Sequence, residues 1–413
     1  MHHQPTRRAV LAGGAAAATT LIAPRARAQD DTIRIGVLTD MAGTYSALTG
    51  PGSVLAARMA VEDFAKTHPH IKVELLQADL QLKPDVALAI AGDWFDSKGV
   101  DLLTDVPLSS AAIAIGEMAK AKDKLAIYTG AASAQLTGPH CGPNHLHWVY
   151  DTWATPHAVV QATVQEGGKS WFFLTADYTF GHSLANDSGA FVKAAGGTVL
   201  GEAAYPFPGT MDFSAYIVRA KASGANVIGL ANGGEDSVNC IKQAAEFGII
   251  KGGQRVVGLG LLVIDIASIG LQSAQGVLLS EPYYWDLNDG TREFGRRFAA
   301  RMTGGAMPDS AQAGEYSAVA HYLKAVAKMG VAKAKASGRA VIAEMKEIPV
   351  QDQIFGKSTI RADGRVIHPM YLFEAKKPSE SKEKWDLLKL LRTIPADQAF
   401  RPLDEGHCPM VRS

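Results

Sequence analysis

Hydroxyl side chains stand at two small-residue turns, each directly after a predicted strand. Ser109 follows one strand, and Ser133 closes the turn Gly130 to Ser133 after the next. Free N–H groups and the positive dipole end make a helix N-terminus attractive to anions, and a serine hydroxyl adds a donor. Ser109, Ala131, Ala132 and Ser133 are therefore candidates for binding an anionic group. The alternative is that the two serines only cap their helices.

Aromatic side chains gather in loops rather than in strands, although only 8% of the residues are aromatic. Such side chains form the walls of apolar pockets and stack on rings. We therefore expect several of them to contact a ligand. The aromatic candidates are Tyr45, Trp153, Tyr178, Phe180 and Tyr283, and Asn232 is a polar candidate in a glycine-rich loop.

The sequence lacks the motifs of common enzyme classes, such as a nucleophile elbow, a Walker loop or a dinucleotide fingerprint. His145 and His147 have the spacing of a metal-binding pair on a strand, but only Cys141 stands near enough to extend such a site. We predict no catalytic residue, no metal site and no cofactor. A secreted α/β enzyme is the remote alternative.

The chain contains 3 cysteines, too few for a disulfide scaffold or a four-thiolate zinc site. Cys141 and Cys408 lie in loops rich in glycine, proline and histidine. We predict a disulfide between them that ties the C-terminal tail to the first part of the fold, with two free thiols as the alternative. Cys240 lies on a helical stripe and is predicted to be a buried free thiol.

Short apolar runs alternate with segments of helical periodicity, which is typical of parallel sheets with crossover helices. The series begins at Thr32 and restarts after residues 147–151. A long helix is predicted from Ala311 to Met329. Asp363-Gly364, between two strand-like runs, predicts a hairpin. The predicted fold class is α/β, with two Rossmann-like lobes of parallel sheet joined by hinge strands.

We divide the chain into an export signal, two lobes and a tail. Lobes of this kind bind small molecules where the carboxyl ends of their strands face each other across a cleft. The predicted parts are residues 1–28 (signal), 29–152 with 283–345 (N-terminal lobe), 153–282 with 346–375 (C-terminal lobe), and 376–413 (charged segment and C-terminal tail).

Residues 1–28 have the three regions of an export signal. Arg7-Arg8 supplies the positive start, 9–23 form a small-residue apolar stretch, and Ala26-Arg27-Ala28 fits a cleavage site. The apolar stretch is shorter than a membrane span. We predict a twin-arginine signal, with an ordinary Sec signal as the alternative, and a mature chain that is soluble outside the cytoplasm without stable membrane insertion.

Composition excludes two further classes. The 413 residues include 41 Lys+Arg and 41 Asp+Glu, so the formal net charge is zero and no basic field is available to hold a nucleic acid. Disorder is excluded because 47% of the residues are hydrophobic.

The order of the elements resembles the type I periplasmic substrate-binding proteins of ABC transporters, in the branched-chain amino acid-binding (leucine-binding protein-like) family. The likeness covers nearly all of the chain after residue 28. It implies a periplasmic location, capture of a small molecule by hinge closure, and permease and ATPase subunits as partners; we expect a monomer. The matching segments are 50–64, 129–137, 178–182 and 243–248.

The resemblance also bears on the ligand. In that family a serine and a small-residue turn hold the ligand carboxylate, and Ser109 and Gly130 to Ser133 match them. The acid that pairs with the ligand ammonium would fall near Gly260 or Leu261, where this sequence has no carboxylate. Closure over an unpaired ammonium would cost several kcal/mol. We therefore expect an amine-free carboxylate, such as a benzoate or cinnamate, with Leu261 in the wall of the site.

Segments 284–290 and 360–365 look like a subgroup of the family that includes binders of plant-derived aromatic acids. Two alternatives stay open. A branched-chain amino acid is the first, because Glu235 or Asp236 would reach an ammonium if the loop were shifted by a few residues. A sensor subunit that uses the same fold to signal to a partner is the second.

Overall fold

The structure, a computed structural model, describes residues 1–2, 31–249 and 251–411. The chain divides into two units, Met1–Asp30 and Asp31–Ser413, and the second unit contains all the elements given below. Residues 3–28 of the predicted export signal lie outside the described residues.

The strands of the described chain are numbered in order. They are β1 (Ile33–Thr39), β2 (Val73–Asp79), β3 (Leu102–Asp105), β4 (Leu125–Tyr128), β5 (His145–His147), β6 (Ser170–Ala176), β7 (Thr198–Tyr205), β8 (Val227–Ala231), β9 (Arg255–Gly258), β10 (Leu278–Glu281), β11 (Val350–Asp352), β12 (Gly356–Ile360), β13 (Val366–Ile367), β14 (Met370–Ala375) and β15 (Leu388–Ile394).

The helices are numbered in the same way. They are α1 (Gly50–Thr67), α2 (Pro84–Asp93), α3 (Ser109–Lys122), α4 (Ala154–Gln165), α5 (Thr179–Ala194), α6 (Ser214–Ala222), α7 (Glu235–Glu246), α8 (Val263–Ile269), α9 (Leu271–Ala274), α10 (Asp289–Ala299), α11 (Ser310–Met329), α12 (Val331–Ala336), α13 (Gly338–Glu347) and α14 (Ala396–Ala399). One π-helical turn adds 94–98, and single 3₁₀ turns add 134–137, 303–305, 378–380 and 404–406.

The N-terminal lobe is built on a parallel sheet with the order β2-β1-β3-β4-β5. Its central strands are buried along almost their whole length because helices cover both faces. Helix α11 packs along α1 and closes one face of this lobe.

The C-terminal lobe repeats the arrangement with a parallel sheet of order β7-β6-β8-β9. Helix α4 packs against α5 and also against β10. Strand β10 belongs to a third, antiparallel sheet of order β10-β14-β15. The third sheet therefore lies with the C-terminal lobe. The α/β class with two parallel-sheet lobes is confirmed.

Residues 148–153, 282–288 and 368–369 connect the lobes, and we call them the hinge segments. The predicted hairpin at Asp363-Gly364 is confirmed, since β12 and β13 pair antiparallel around that turn. The backbone N–H of His147 donates to the carbonyl of Gly364 at 3.0 Å, which places the hairpin against the edge of the N-terminal lobe.

The structure divides the last part of the chain differently from the sequence-based boundaries. The sequence predicts that residues 346–375 belong together to the C-terminal lobe, whereas β11 to β13 contact the N-terminal lobe and only β14 joins the third sheet. Segment 376–413 contributes β15, which pairs with β14. The tail, residues 395–411, then returns to the N-terminal lobe, where Cys408 is bonded to Cys141.

Candidate functional site

A narrow cavity lies between the two lobes, at the carboxyl ends of their parallel strands. About 500 Å³ of space not filled by atoms lies here, part of it open to solvent. Loops after strands of both lobes form its wall. The lining residues are Tyr45, Leu48, Thr49, Pro107, Ser109, Gly130, Ala132, Tyr150, Thr155, Tyr178, Phe180, Gly233, Gly260 and Leu262.

The lobes meet over this cavity, so the structure represents a closed cleft. The hydroxyls of Tyr45 and Tyr178 share a hydrogen bond of 2.5 Å across the cleft. The backbone N–H of Glu235 donates to the carbonyl of Thr44 at 3.1 Å. Phe207 stacks on Tyr178 with ring centroids 4.3 Å apart and covers this closure from outside.

Ser109 is the first residue of α3 and is 1% exposed. Its Oγ accepts a hydrogen bond from the backbone N–H of Ser133 at 3.2 Å. Because that bond occupies Oγ as an acceptor, the hydroxyl proton remains available for donation into the cavity. The N–H of Ala132, which also lines the cavity, donates to no oxygen in the described part of the chain. These groups can hold an anion together.

Helix dipoles also favour an anion in the cavity. The starts of α1, α3, α5 and α7 all lie at the cavity, because the residues at or just before their first turns line it. The N-terminus of a helix carries a partial positive charge and unpaired N–H groups. The cavity therefore has a positive electrostatic bias without a lysine or arginine in its wall.

Among the described residues, no carboxylate side chain lines the cavity. Asp236, in the first turn of α7, turns away and accepts a hydrogen bond from the hydroxyl of Tyr205 at 2.8 Å. Burial raises the pKa of Asp236 to about 6. The side chain of Glu235 is exposed.

Several predicted ligand-binding residues come together in the cavity wall. They are Tyr45, Ser109, Ala132, Tyr178 and Phe180. Each follows the end of a buried parallel strand, where the sequence placed it. Burial raises the pKa of both tyrosines, so both hydroxyls keep their protons as hydrogen-bond donors.

Three other predicted residues support the wall from behind. The carbonyl of Ala131 is hydrogen-bonded to the Nε2 of His147 at 2.8 Å. Ser133 Oγ lies 2.8 Å from the Oγ of Ser183 in the C-terminal lobe, so Ser133 joins the lobes beside the cavity. Asn232 accepts from Ser237 at 2.7 Å and holds the turn before α7.

The remaining predicted residues lie farther from the cavity. Leu261 is buried and packs back on Gly258, whereas its neighbour Leu262 lines the cavity. Trp153 packs against Phe191 with ring centroids 5.2 Å apart. The hydroxyl of Tyr283 donates to the carbonyl of Thr291 at 3.3 Å in the hinge segment 282–288.

Sequence reasoning missed Leu48, Thr49, Tyr150, Thr155 and Leu262, all of which line the cavity. Thr49 precedes α1, whose start the sequence did locate, so its position at a strand-to-helix turn was an available signal. Tyr150 and Thr155 lie where the chain crosses between lobes, and no local pattern distinguishes that crossing from an ordinary loop.

The two histidines that have the spacing of a metal-binding pair have structural roles. Both histidines of the His145–His147 pair are buried, and each is hydrogen-bonded to a backbone carbonyl. Among the described residues, no group of three or more histidine, cysteine, aspartate or glutamate side chains is arranged to hold a metal ion. No helix in the described part of the chain combines the length and apolar character needed to cross a membrane.

Comparisons with known proteins agree with this architecture. A family model described as periplasmic binding protein matches residues 32–382. No curated protein sequence matches the chain.

Several solved structures are similar to this chain. A periplasmic binding protein from Burkholderia mallei is 41% identical, with a TM-score of 0.87 over 92% of this chain and 100% of the other. A branched-chain amino acid ABC transporter periplasmic ligand-binding protein from Burkholderia xenovorans is 40% identical, with a TM-score of 0.78 over 92% and 99% of the two chains. A solute-binding protein of an R. palustris ABC transporter, in complex with benzoate, shares the fold at 19% identity and a TM-score of 0.77, over 88% and 97%.

These relatives are substrate-binding components of transporters rather than enzymes, and the family implies a small-molecule ligand, a membrane permease as partner and an exported location. The match over most of the chain, together with two lobes closed over a cavity at their strand ends, shows that this chain belongs to the periplasmic binding protein family of ABC transporters.

Proposed function

We propose that this protein captures a small amine-free carboxylate, an aromatic acid such as a benzoate or a cinnamate, and delivers it to its permease. The observation that carries the proposal is the charge pattern of the cavity wall. Hydroxyls and helix N-termini suit a carboxylate, and in the part of the chain that the structure describes no acidic side chain lines the cavity to pair with an ammonium. Rings of Tyr45, Tyr178 and Phe180 offer apolar faces to the ligand body.

Closure is the proposed mechanism of capture. A ligand shifts the equilibrium between open and closed forms only if it binds the closed form better. Ser109 and Ala132 would hold the carboxylate from the N-terminal lobe, while Tyr178 and Phe180 would cover its body from the C-terminal lobe. The ligand thus gains contacts from both sides only after closure.

A branched-chain amino acid is the second candidate. The Burkholderia xenovorans relative carries that description at 40% identity. In this chain Asp236 is the acid that the sequence offers for such a role, but its carboxylate accepts a hydrogen bond from Tyr205. An amino acid would therefore require Asp236 to change partner on binding.

Matched ligand pairs separate the two candidates. Leucine and 4-methylpentanoate differ only in the amine, as do phenylalanine and 3-phenylpropionate, and benzoate and cinnamate extend the aromatic series. We expect calorimetry to show that each amine-free acid binds more than 100-fold more tightly than its amino acid, because an unpaired buried ammonium costs about 3 kcal/mol or more. Binding of leucine, isoleucine or valine alone would overturn the proposal.

Substitution of Ser109 tests the placement of the carboxylate. Ser109→Ala should weaken binding of the best acid by about 1–3 kcal/mol, the range for loss of a hydrogen bond to a charged group. Ser110→Ala is the matched control, because Ser110 is adjacent but does not line the cavity. Equal affinities for the two variants would remove Ser109 from the site.

A further inference from the structure

The hydroxyl of Tyr150 is an unused hydrogen-bonding group in the cavity wall. The residue lies in the hinge segment 148–153, lines the cavity and is 7% exposed. Its backbone carbonyl accepts a hydrogen bond from Arg365 at 3.3 Å, whereas its hydroxyl bonds to no residue that the structure describes. The hydroxyl is also not sealed inside the protein, as the unpartnered hydroxyl of Tyr322 is. It is therefore free to bond a group that enters the cavity.

The other hydroxyls of the wall are already engaged. They belong to Tyr45, Thr49, Ser109, Thr155 and Tyr178. The two tyrosines bond each other at 2.5 Å, and each threonine donates to the backbone carbonyl four residues earlier at 3.1 Å. The serine accepts a backbone N–H at 3.2 Å. Among the described residues, the hydroxyl of Tyr150 is thus the one in the wall that forms no hydrogen bond.

Two backbone hydrogen bonds align the hinge segment with the small-residue turn that follows β4. The N–H of Trp148 donates to the carbonyl of Tyr128 at 2.8 Å, and the N–H of Thr152 donates to the carbonyl of Ala132 at 2.8 Å. The two segments therefore run side by side. At the midpoint of this alignment, Tyr150 lies beside the first residue of the turn.

Ser109 and Tyr150 reach the turn from opposite sides. In the sheet of the N-terminal lobe, β4 lies between β3 and β5. The turn follows β4, whereas Ser109 follows β3 and Tyr150 follows β5. A tyrosine carries its hydroxyl at the far end of an apolar ring. The Tyr150 hydroxyl is therefore a ring's length from the backbone against which a carboxylate would lie, on the flank away from Ser109.

The group that bonds Tyr150 should be uncharged. No lysine, arginine, aspartate or glutamate side chain of the described chain lines the cavity, so a second charged group on the ligand would be buried without a counter-charge. A tyrosine hydroxyl both donates and accepts, as does a hydroxyl on a ligand. A purely apolar ligand body would leave the Tyr150 hydroxyl without a partner on closure, which is unfavourable.

We propose that Tyr150 recognises a hydroxyl group on the body of the ligand, so that the protein prefers a hydroxylated aromatic acid to the unsubstituted acid. The proposal rests on the proposed function, since it takes the carboxylate to lie at Ser109 and Ala132. The ligand is then held at two points, its carboxylate by the N-terminal lobe and its hydroxyl by the hinge. Because Arg365 and the alignment with the turn hold the backbone of Tyr150, the preference extends to the position of the hydroxyl on the ring.

The first test compares ligands on the unmodified protein. Calorimetry measures the affinity for benzoate and for the three hydroxybenzoates that differ in ring position, and for cinnamate and 4-hydroxycinnamate. We expect at least one hydroxylated acid to bind about tenfold more tightly than its parent acid, because it gives the Tyr150 hydroxyl a partner. Parent acids that bind as tightly as every hydroxylated acid would overturn the inference.

The second test removes only the hydroxyl of Tyr150. In Tyr150→Phe the ratio between the affinities for the preferred hydroxylated acid and its parent should fall about tenfold. A merely structural role would weaken the binding of both acids equally, as would a bond from Tyr150 to the carboxylate. An unchanged ratio would therefore overturn the inference. If this variant does not fold, the ligand series on the unmodified protein still decides.

Tyr322→Phe is the matched control. Tyr322 is fully buried with an unpartnered hydroxyl, but it lies on α11 and does not line the cavity. The variant should keep the preference of the unmodified protein for the hydroxylated acid. Equal losses of preference in Tyr150→Phe and Tyr322→Phe would assign the effect to the removal of a buried hydroxyl and overturn the role of Tyr150.

The two proposals fail in different ways. Tight binding of benzoate or cinnamate, with no gain from a hydroxyl at any position, would overturn this inference and leave the proposed function standing. Binding of leucine, isoleucine or valine alone would overturn the proposed function, and this inference with it.

Discussion

The two sides of the lobe interface differ in the strength of their contacts. On the cleft side, single hydrogen bonds between uncharged groups close the gap, such as Tyr45 with Tyr178 and Ser133 with Ser183. A hydrogen bond of this kind contributes only about 0.5–1.5 kcal/mol. The cleft can therefore open at small cost when the ligand leaves.

The hinge side is held far more firmly. Arg365 is fully buried, donates to the carbonyls of Val149 and Tyr150, and lies over the ring of Phe400 at 4.2 Å. His368 stacks on the ring of Phe355 with centroids 4.4 Å apart. Burial lowers the pKa of His368 to about 3, so it stays neutral beside Arg365.

The tail adds a fourth crossing on that side. It leaves β15 at Ile394 and reaches the N-terminal lobe, where Arg401 donates to the carbonyl of Ala134 at 3.0 Å. Tyr284 and Trp285 both donate to the carbonyl of Trp385, which fastens the segment leading into β15. The contacts on the hinge side are therefore more numerous and stronger than those at the cleft edges.

Loss of the disulfide should have the largest effect and should act on stability alone. We expect the double variant Cys141→Ser, Cys408→Ser to lose about 2–5 kcal/mol of unfolding free energy, the usual range for removal of a native disulfide. Denaturant titration measures this loss, and reduction of the unmodified protein provides an independent comparison. Ligand affinity should stay the same, since both cysteines lie outside the cavity wall; a stability equal to that of the unmodified protein would show that the tail is held by its other contacts.

A side chain at Gly234 should prevent closure. Gly234 has φ of +61°, and an added Cβ would lie 2.4 Å from the carbonyl oxygen of Thr44 in the other lobe. Overpacking of this kind costs about 1–3 kcal/mol, so Gly234→Ala should weaken ligand binding by about tenfold or more. Small-angle scattering should show the open form at ligand concentrations that close the unmodified protein.

Gly248→Ala is the matched control for that prediction. Gly248 lies just beyond the other end of α7 with φ of +66°, but an added Cβ there meets no atom within 4 Å. Both variants place an alanine at a positive φ, and only Gly234→Ala adds the clash between lobes. Equal binding losses in the two would assign the effect to backbone strain rather than to blocked closure.

The tyrosine pair should give the smallest effect. Tyr178→Phe removes one partner of the 2.5 Å hydrogen bond and leaves the hydroxyl of Tyr45 alone, so binding should weaken by about 0.5–1.5 kcal/mol. The double variant with Tyr45→Phe should lose less than the sum of the single losses, since neither hydroxyl is then left without a partner. Additive losses in calorimetry would mean that the two hydroxyls act separately on the ligand.

Most of the fold was predictable because buried parallel strands have a clear sequence pattern. The strands that place Ser109 and Tyr178 are short apolar runs followed by small or polar residues, and strand ends of parallel sheets meet at one edge. The same rule predicts the position of Tyr45, Ala132 and Phe180, which line the cavity.

The other features of the fold and the site could not be predicted, because they depend on contacts between distant parts of the chain. Trp153 and Tyr283 are loop aromatics like Tyr178, but they lie in the hinge segments 148–153 and 282–288, where the chain turns away from the cavity. Strand β15 lies within the predicted charged segment, because five of its seven residues are exposed at the sheet edge and only its pairing with β14 identifies it as a strand.

The bond between Cys141 and Cys408 spans 267 positions of sequence. It turns the polypeptide between them, including the entire C-terminal lobe, into a macrocycle. A protease that nicks one exposed loop within this ring would linearise it without releasing a fragment, and the two pieces would separate in electrophoresis only after treatment with a reductant.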